Sequence, residues 1–277
     1  MSSHHDRTTA PEYPVRGCRH INRIRHALTV TGFPDHLRRI ENCSQGDRCG
    51  TSYCPECRKR NVRKHTGRML GLYRDLYNSC EDQARKDIRF VTVLHELCGP
   101  DIKEVKAGIG RAKVAFAGLR RSFPGLRIEG RFELEVIDTD KIFNTNICPQ
   151  KSVALADLNG GNRGTSSREL FLIHSHFLVF MGGNDDEVVR DKFASRFPGR
   201  YRIKFGPLFD NLPVEENIRR VCSYLLKDRY FLNHGFDTQG YNQGEYIRYE
   251  SLSFLIRSYM SSDIGIHSSM IYTKGKS

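Results

Sequence analysis

The sequence predicts an α+β chain: an antiparallel sheet with helices packed mostly on one face, preceded by a small zinc-binding, cysteine-rich module. Three observations predict it. Four cysteines crowd between Cys43 and Cys57. From residue 88 onward, runs of β-formers alternate with helical periodicities in the order β-α-β-β-α-β-α, an order that suits an α+β sheet. The two strands at 126–137 and 170–181 are consecutive, so they can pair antiparallel as a long hairpin.

Taken in order, residues 1–14 are polar and read as disordered, and residues 15–68 are rich in Arg and Cys with little sustained periodicity. Residues 88–95 read as a strand. Residues 103–122 read as a helix, with Val105, Ile109, Ala112 and Phe116 at helical spacing. Pro124-Gly125 punctuates before the strand at 126–137. Residues 138–169 read as a long loop, whose length marks it as a functional or disordered insertion. Residues 170–181 are almost wholly apolar and fit a sheet centre; Gly182-Gly183 ends them. A helix capped by Asn184 is expected over 185–197, and a strand over 200–206. A helix is expected over 213–232, with Pro213 at its start and Glu215 and Glu216 in its first turn. A further helical stretch at 249–260 precedes a polar tail. The organisation expected is therefore a disordered terminus (1–14), a basic zinc module (15–68), a core (69–240) and a C-terminal helix with tail (241–277).

Composition narrows the function. The 277 residues are 38% hydrophobic and 27% charged, as in a globular chain. No apolar run approaches the ~18 residues of a membrane span, and no apolar signal core is present. The expectation is a cytoplasmic protein with no membrane partner. Lys and Arg number 44 against 32 acids, a net charge of +12, and residues 1–68 alone hold 14 against 6. Such an excess favours a polyanion through counterion release, although a generally basic soluble protein has the same charge. The cysteines number nine, an odd count, and without an export signal metal binding is the better reading than disulfides. Cys222 falls in a helical apolar pattern and reads as a buried thiol.

The cluster runs Cys43-x5-Cys49-x4-Cys54-x2-Cys57, which can close a tetrahedral structural zinc site. Its first spacing is wide, so Cys18, His20 or His65 can replace one ligand. Arg58, Lys59, Arg60, Arg63 and Lys64 follow at once, as a phosphate-binding edge or simply a solvated helix face.

His174-Ser175-His176 lies inside the apolar strand, and alternation puts both imidazoles on one face. Two neutral imidazoles can share a divalent metal; the plainer reading is two histidines satisfied by core hydrogen bonds. In Arg131–Ile137 the apolar Phe132, Leu134 and Val136 alternate with Arg131, Glu133 and Glu135, so either acid can supply a third ligand or pair with Arg131. On helix 213–232, Ile218, Val221, Cys222 and Leu225 form the apolar stripe, and Tyr224, Lys227 and Asp228 share another face. A phenol beside an ammonium is a workable nucleophile for a phosphodiester. By itself, Tyr224 is one of twelve tyrosines. Gly108-x-Gly110 sits within a helix and lacks a third glycine, so it is no dinucleotide fingerprint. No P-loop motif occurs, so the chain has no ATPase motor.

These residues together resemble the HUH endonuclease superfamily, and within it the rolling-circle replication initiators of bacterial plasmids. The first motif is similar to Phe90-Val-Thr-Val-Leu-His95, the second to His174-Ser175-His176 with Glu135-Val136 on the preceding strand, and the third to Tyr224-Leu-Leu-Lys227. Many such proteins also carry a cysteine cluster ahead of the first motif. The resemblance implies an HUH-type, RRM-like or palm-like sheet, with Glu135, His174 and His176 on a catalytic Mg²⁺ or Mn²⁺ and Zn²⁺ in the cysteine module. It implies that Tyr224, helped by Lys227, nicks single-stranded origin DNA and keeps the 5′ end, while host helicase and polymerase extend the free 3′ hydroxyl. The sequence departs from the pattern at Ser175, where an apolar residue is usual, and in the length of 138–169. It has one tyrosine in the third motif, which leaves Asp228 as the residue to finish the reaction. The competing readings are a single-strand transposase or mobilisation relaxase with the same site, and a non-catalytic, zinc-containing DNA-binding protein.

Overall fold

A computed structural model describes residues 20–139, 148–160, 169–224, 246–261 and 271–274, with backbone only at 223–224 and 271–274. The expected disordered terminus, Cys18, Leu225, Lys227 and Asp228 lie outside the described residues.

The head is helical. Helices α1 (Ile21–Val30) and α2 (Pro34–Glu41) lead to the cysteine loop, and α3 (Pro55–Ser79) starts between its last two cysteines. After α4 (Glu81–Asp87), strand β1 (Ile88–Cys98), helix α5 (Ile102–Ser122) and strand β2 (Arg127–Asp138) follow the expected order. The expected loop at 138–169 contains α6 (Pro149–Leu158). Then come β3 (Glu169–Phe180), α7 (Asp186–Arg196), β4 (Ile203–Pro207), α8 (Val214–Tyr224), α9 (Tyr249–Met260) and the short β5 (Ile271–Lys274). The cap of α7 is Asp185, whose carboxylate accepts from the amides of Glu187 and Val188. The neighbouring Asn184 instead ties the turn, donating to the carbonyls of Met181 and Pro124.

The sheet is antiparallel in every described pairing, in the order β4-β1-β3-β2-β5. β3 is central and buried along nearly its whole length, as its unbroken apolar run requires. β2 and β3 pair without a slip from Arg127↔Phe180 to Asp138↔Glu169. Between β1 and β3 the register shifts at Leu94/Glu96, which leaves His95 as the extra residue of a bulge.

Helices cover both faces of this sheet, not mostly one, because each face carries apolar patches for them to bury. On one face Val91, Val93, Phe132, Ile173 and Phe177 meet Ile109, Ala112 and Phe116 of α5 and Val189 and Phe193 of α7. Gly108 permits the close approach of α5, since a Cβ there would collide with Glu96 and Ile173. On the opposite face two separate clusters form. Ile88 and Leu178 pack with Met69 and Tyr73 of α3 and Ile218, Val221 and Cys222 of α8. Leu94 and Leu172 pack with Ala154 and Leu155 of α6. The middle of that face lies between them and is polar.

No break falls at residue 68, where a module boundary was expected: α3 runs unbroken across it, ~37 Å at 1.5 Å per residue. The four cysteines belong to the same buried cluster as α1, α9 and the α5 side of the sheet.

Candidate metal centre

The polar middle of the sheet is built by strand register. Thr92 and Arg131 stand opposite His176 from either side, Glu133 stands opposite His174, and Glu135 stands opposite Leu172. All five of Arg131, Glu133, Glu135, His174 and His176 are buried. The ligand atoms of Glu133, His174 and His176 lie within 4.8 Å of one another. Glu133 Oε2 is 3.2 Å from His174 Nε2 and 4.0 Å from His176 Nε2.

The outer nitrogens of both rings face other partners. His176 Nδ1 is 2.8 Å from Thr92 Oγ1, and its ring stacks on Phe90 with centroids 5.7 Å apart. His174 Nδ1 is 3.5 Å from Glu135 Oε2, and Glu135 is in turn 2.8 Å from Lys151 Nζ of α6. The geometry thus favours Glu133 over Glu135 as the carboxylate beside the two histidines. Alternation put both acids on one face; only register separates them.

The donor set fits a divalent cation. Ligands about 2.1 Å from one ion stand roughly 3.0–3.4 Å apart at tetrahedral or octahedral angles. The 3.2 Å separation meets this, the 4.0 Å one meets it after a shift of under an ångström, and the nitrogens of the two histidines lie within 4.8 Å of each other. Two imidazoles and a carboxylate buried together otherwise form a costly polar island in a sheet whose other face is closed by phenylalanines. On that other face His95 contacts Ser175, Nε2 to Oγ 2.7 Å. It lies among Phe116, Phe132 and Phe197. Burial, helped by the Arg202 guanidinium, holds His95 well below the usual histidine range, so it is a neutral core group. Ser175 is therefore occupied on the face opposite Glu133, His174 and His176.

The second centre is the cysteine cluster. Cys43 Sγ is 3.5 Å from Cys57 Sγ and 3.6 Å from Cys54 Sγ, and Cys49 Sγ is 3.6 Å from Cys57 Sγ. All four are buried. A tetrahedral zinc with bonds near 2.3 Å has sulfur edges of roughly 3.8 Å, close to these three separations, and all four sulfurs lie within 4.8 Å of one another, so the quartet could hold an ion. Mutual sulfur contacts split the proton affinities: those from Cys49 and Cys54 pull Cys57 far down, and those from Cys54 and Cys57, with burial, push Cys49 up. His65, an alternative ligand by sequence, falls outside the quartet and stays on α3, where burial holds it at about 4.

The remaining expected site residues are partly described. Lys59, Arg60, Arg63 and Lys64 are exposed on α3 and Arg58 is half-buried. Tyr224 is the last described residue of α8, whose buried Ile218, Val221 and Cys222 confirm the expected apolar stripe up to that point. The Tyr224 side chain and all of Lys227 lie outside what is described. Sequence reasoning missed Lys151, which lay in a presumed loop, and the Thr92–His176 contact. Thr92 stood in the first motif, and that was the available signal. No protein-family model, curated protein or solved structure matches the chain. Among the described residues no helix is long and apolar enough to cross a membrane.

Proposed function

We propose that this chain is a metal-dependent, single-strand DNA nickase that initiates rolling-circle replication and uses Tyr224 as nucleophile. One observation carries the reading: Glu133, His174 and His176 converge from two adjacent central strands onto one point. A divalent cation held there would polarise a non-bridging oxygen of the scissile phosphodiester. The donor set, two imidazoles and one carboxylate, suits Mn²⁺ better than Mg²⁺.

In this reading the Tyr224 phenolate oxygen attacks phosphorus, an O–P bond forms, and the bond to the 3′ oxygen breaks. The leaving 3′ oxygen takes up a proton, and the 5′ phosphate stays on Tyr224. Lys227 stabilises the phenolate or the developing charge. The reverse attack by a 3′ hydroxyl restores the phosphodiester, so no external energy is consumed. Exposed Lys59, Arg60, Arg63 and Lys64 supply phosphate contacts, and extension of the 3′ end falls to a host helicase and polymerase.

The experiment is a nicking assay on a single-stranded origin library with Mn²⁺, followed by mass-spectrometric mapping of the adduct. Cleavage with an adduct at Tyr224, lost in Tyr224→Phe, supports the reading; an adduct elsewhere or an active Tyr224→Phe overturns it. A second reading has its own observation. The cysteine quartet and the exposed basic edge of α3 adjoin one another and need no chemistry, as in a zinc-containing DNA-binding protein. It predicts origin binding unchanged by Tyr224→Phe and no cleavage by the parent.

A further inference from the structure

We infer that Lys151 and Glu135 form a clamp, delivered by α6, that orients His174 for metal binding. The inference rests on reading Glu133, His174 and His176 as a metal site, and adds positioning residues to it. A metal-binding histidine almost always donates its other ring N–H to a partner, which fixes its tautomer and ring plane and strengthens binding. At His176 the partner is Thr92, from β1. At His174, Nε2 faces Glu133 and Nδ1 faces Glu135. With its proton on Nδ1, 3.5 Å from Glu135 Oε2, His174 keeps the Nε2 lone pair for the side it shares with Glu133.

Glu135 is 2% exposed at its side chain, a costly place for a lone carboxylate. Lys151 meets it at 2.8 Å and offsets that cost. The lysine comes from the segment between β2 and β3, where α6 seats Ala154 and Leu155 on Leu94 and Leu172. Lys151 precedes Leu155 by one helical turn, so apolar docking of α6 brings the ammonium to the carboxylate. Glu135 thus acts as a positioning residue and not as a metal ligand, and the inserted helix is part of the metal site although none of its residues joins the ligand group.

The test is Mn²⁺ titration of the full chain, zinc-loaded at the cysteine quartet, read by electron paramagnetic resonance. The parent should bind one Mn²⁺, and a His174→Ala/His176→Ala variant none. Lys151→Met and Glu135→Gln should each weaken Mn²⁺ binding by roughly 10- to 100-fold, the usual loss when an outer partner of a ligand is removed. Lys151→Arg should bind within about threefold of the parent. If Lys151→Met does not fold, Lys151→Met/Glu135→Gln removes both charges together and should show the same weakening, with an unchanged melting temperature for the metal-free protein. Tighter Mn²⁺ binding in Lys151→Met would show that the lysine had been holding back a true ligand, and would overturn the clamp. So would unchanged binding in Lys151→Met and Glu135→Gln. In either case a parent that binds and a double-histidine variant that does not leave the metal site standing; a parent that binds no Mn²⁺ overturns both.

Discussion

The carboxylate beside the histidines is decided by a displacement of two residues along β2. Glu133 and Glu135 share a face, but only Glu133 is directly across from His174. Glu133→Ala should therefore abolish Mn²⁺ binding outright, whereas Glu135→Gln only weakens it. Isothermal titration of the two variants side by side checks the order, and the reverse ranking would return Glu135 to the ligand set. Gly130 is a second residue with a sharp expectation. A Cβ there would run into the His176 carbonyl and into Phe177, both on β3. Backbone cannot retreat as a flexible side chain can, so Gly130→Ala should cost about 2 kcal/mol or more. It should also disturb His176, and a denaturant melt alongside the Mn²⁺ titration would show both losses together.

At the scale of elements, α3 is the piece whose role the sequence hid. Its buried positions Cys57, Asn61, His65, Met69 and Tyr73 recur every four residues. The first three are polar or sulfur-bearing, so a hydrophobic periodicity search passes over them. One end of the stripe holds a cysteine of the quartet, and the other holds Tyr73, whose hydroxyl donates to the Leu178 carbonyl of β3 at 3.2 Å. A metal bound at the cysteines would thereby be linked mechanically to the sheet. Cys54→Ser or Cys57→Ser should release one zinc per chain and lower the melting temperature of the whole protein, because binding energy there is folding energy. Circular dichroism during chelation would follow it; an unchanged melt would mean that the quartet holds nothing. The exposed side of the same helix carries Lys59, Arg60, Arg63 and Lys64. Each alanine substitution that removes a phosphate contact should lower the salt slope of DNA binding by about 1, without changing sequence preference.

For the molecule as a whole, pH dependence has an identifiable source in Glu129, 2% exposed on the same sheet face. Burial raises its carboxyl from 4.5 to about 7, against the opposing charges of Arg68, Arg120 and Arg127. A raised acid favours the fold while protonated. Its contribution is complete below about pH 4.5 and is lost as pH rises through about 7. The loss at pH 8 is about 3 kcal/mol if the shift is fully expressed. Glu129→Gln should therefore match the parent near pH 4.5 and exceed it in stability at pH 8. Urea melts at the two values test this, and a variant weaker than the parent at pH 8 would mean that the ionised carboxylate is stabilising.

Much of this architecture was legible in the chain itself. β1, β2, β3, α5, α7 and α9 all stand within a few residues of where period-2 and period-3.6 patterns put them, because each buries an apolar face that the pattern reports. The cysteine quartet was legible from spacing, and the two histidines from alternation. Where apolar pattern is thin, reading failed. In α6 the buried positions are Ser152, Ala154 and Leu155, too few to distinguish a helix from a loop. β5 is four residues long, too short to show a period, and pairs with β2 over Ile128–Arg131. Residue types and periods thus determined which elements form and which side chains share a face. Tertiary structure alone decided which of two equivalent acids comes near both histidines, that Thr92 meets His176, and that Lys151 arrives from an insertion to hold Glu135. Alternation repeats every two residues and cannot count register between strands, and a contact across separate elements exists only once the sheet has paired and its helices have docked.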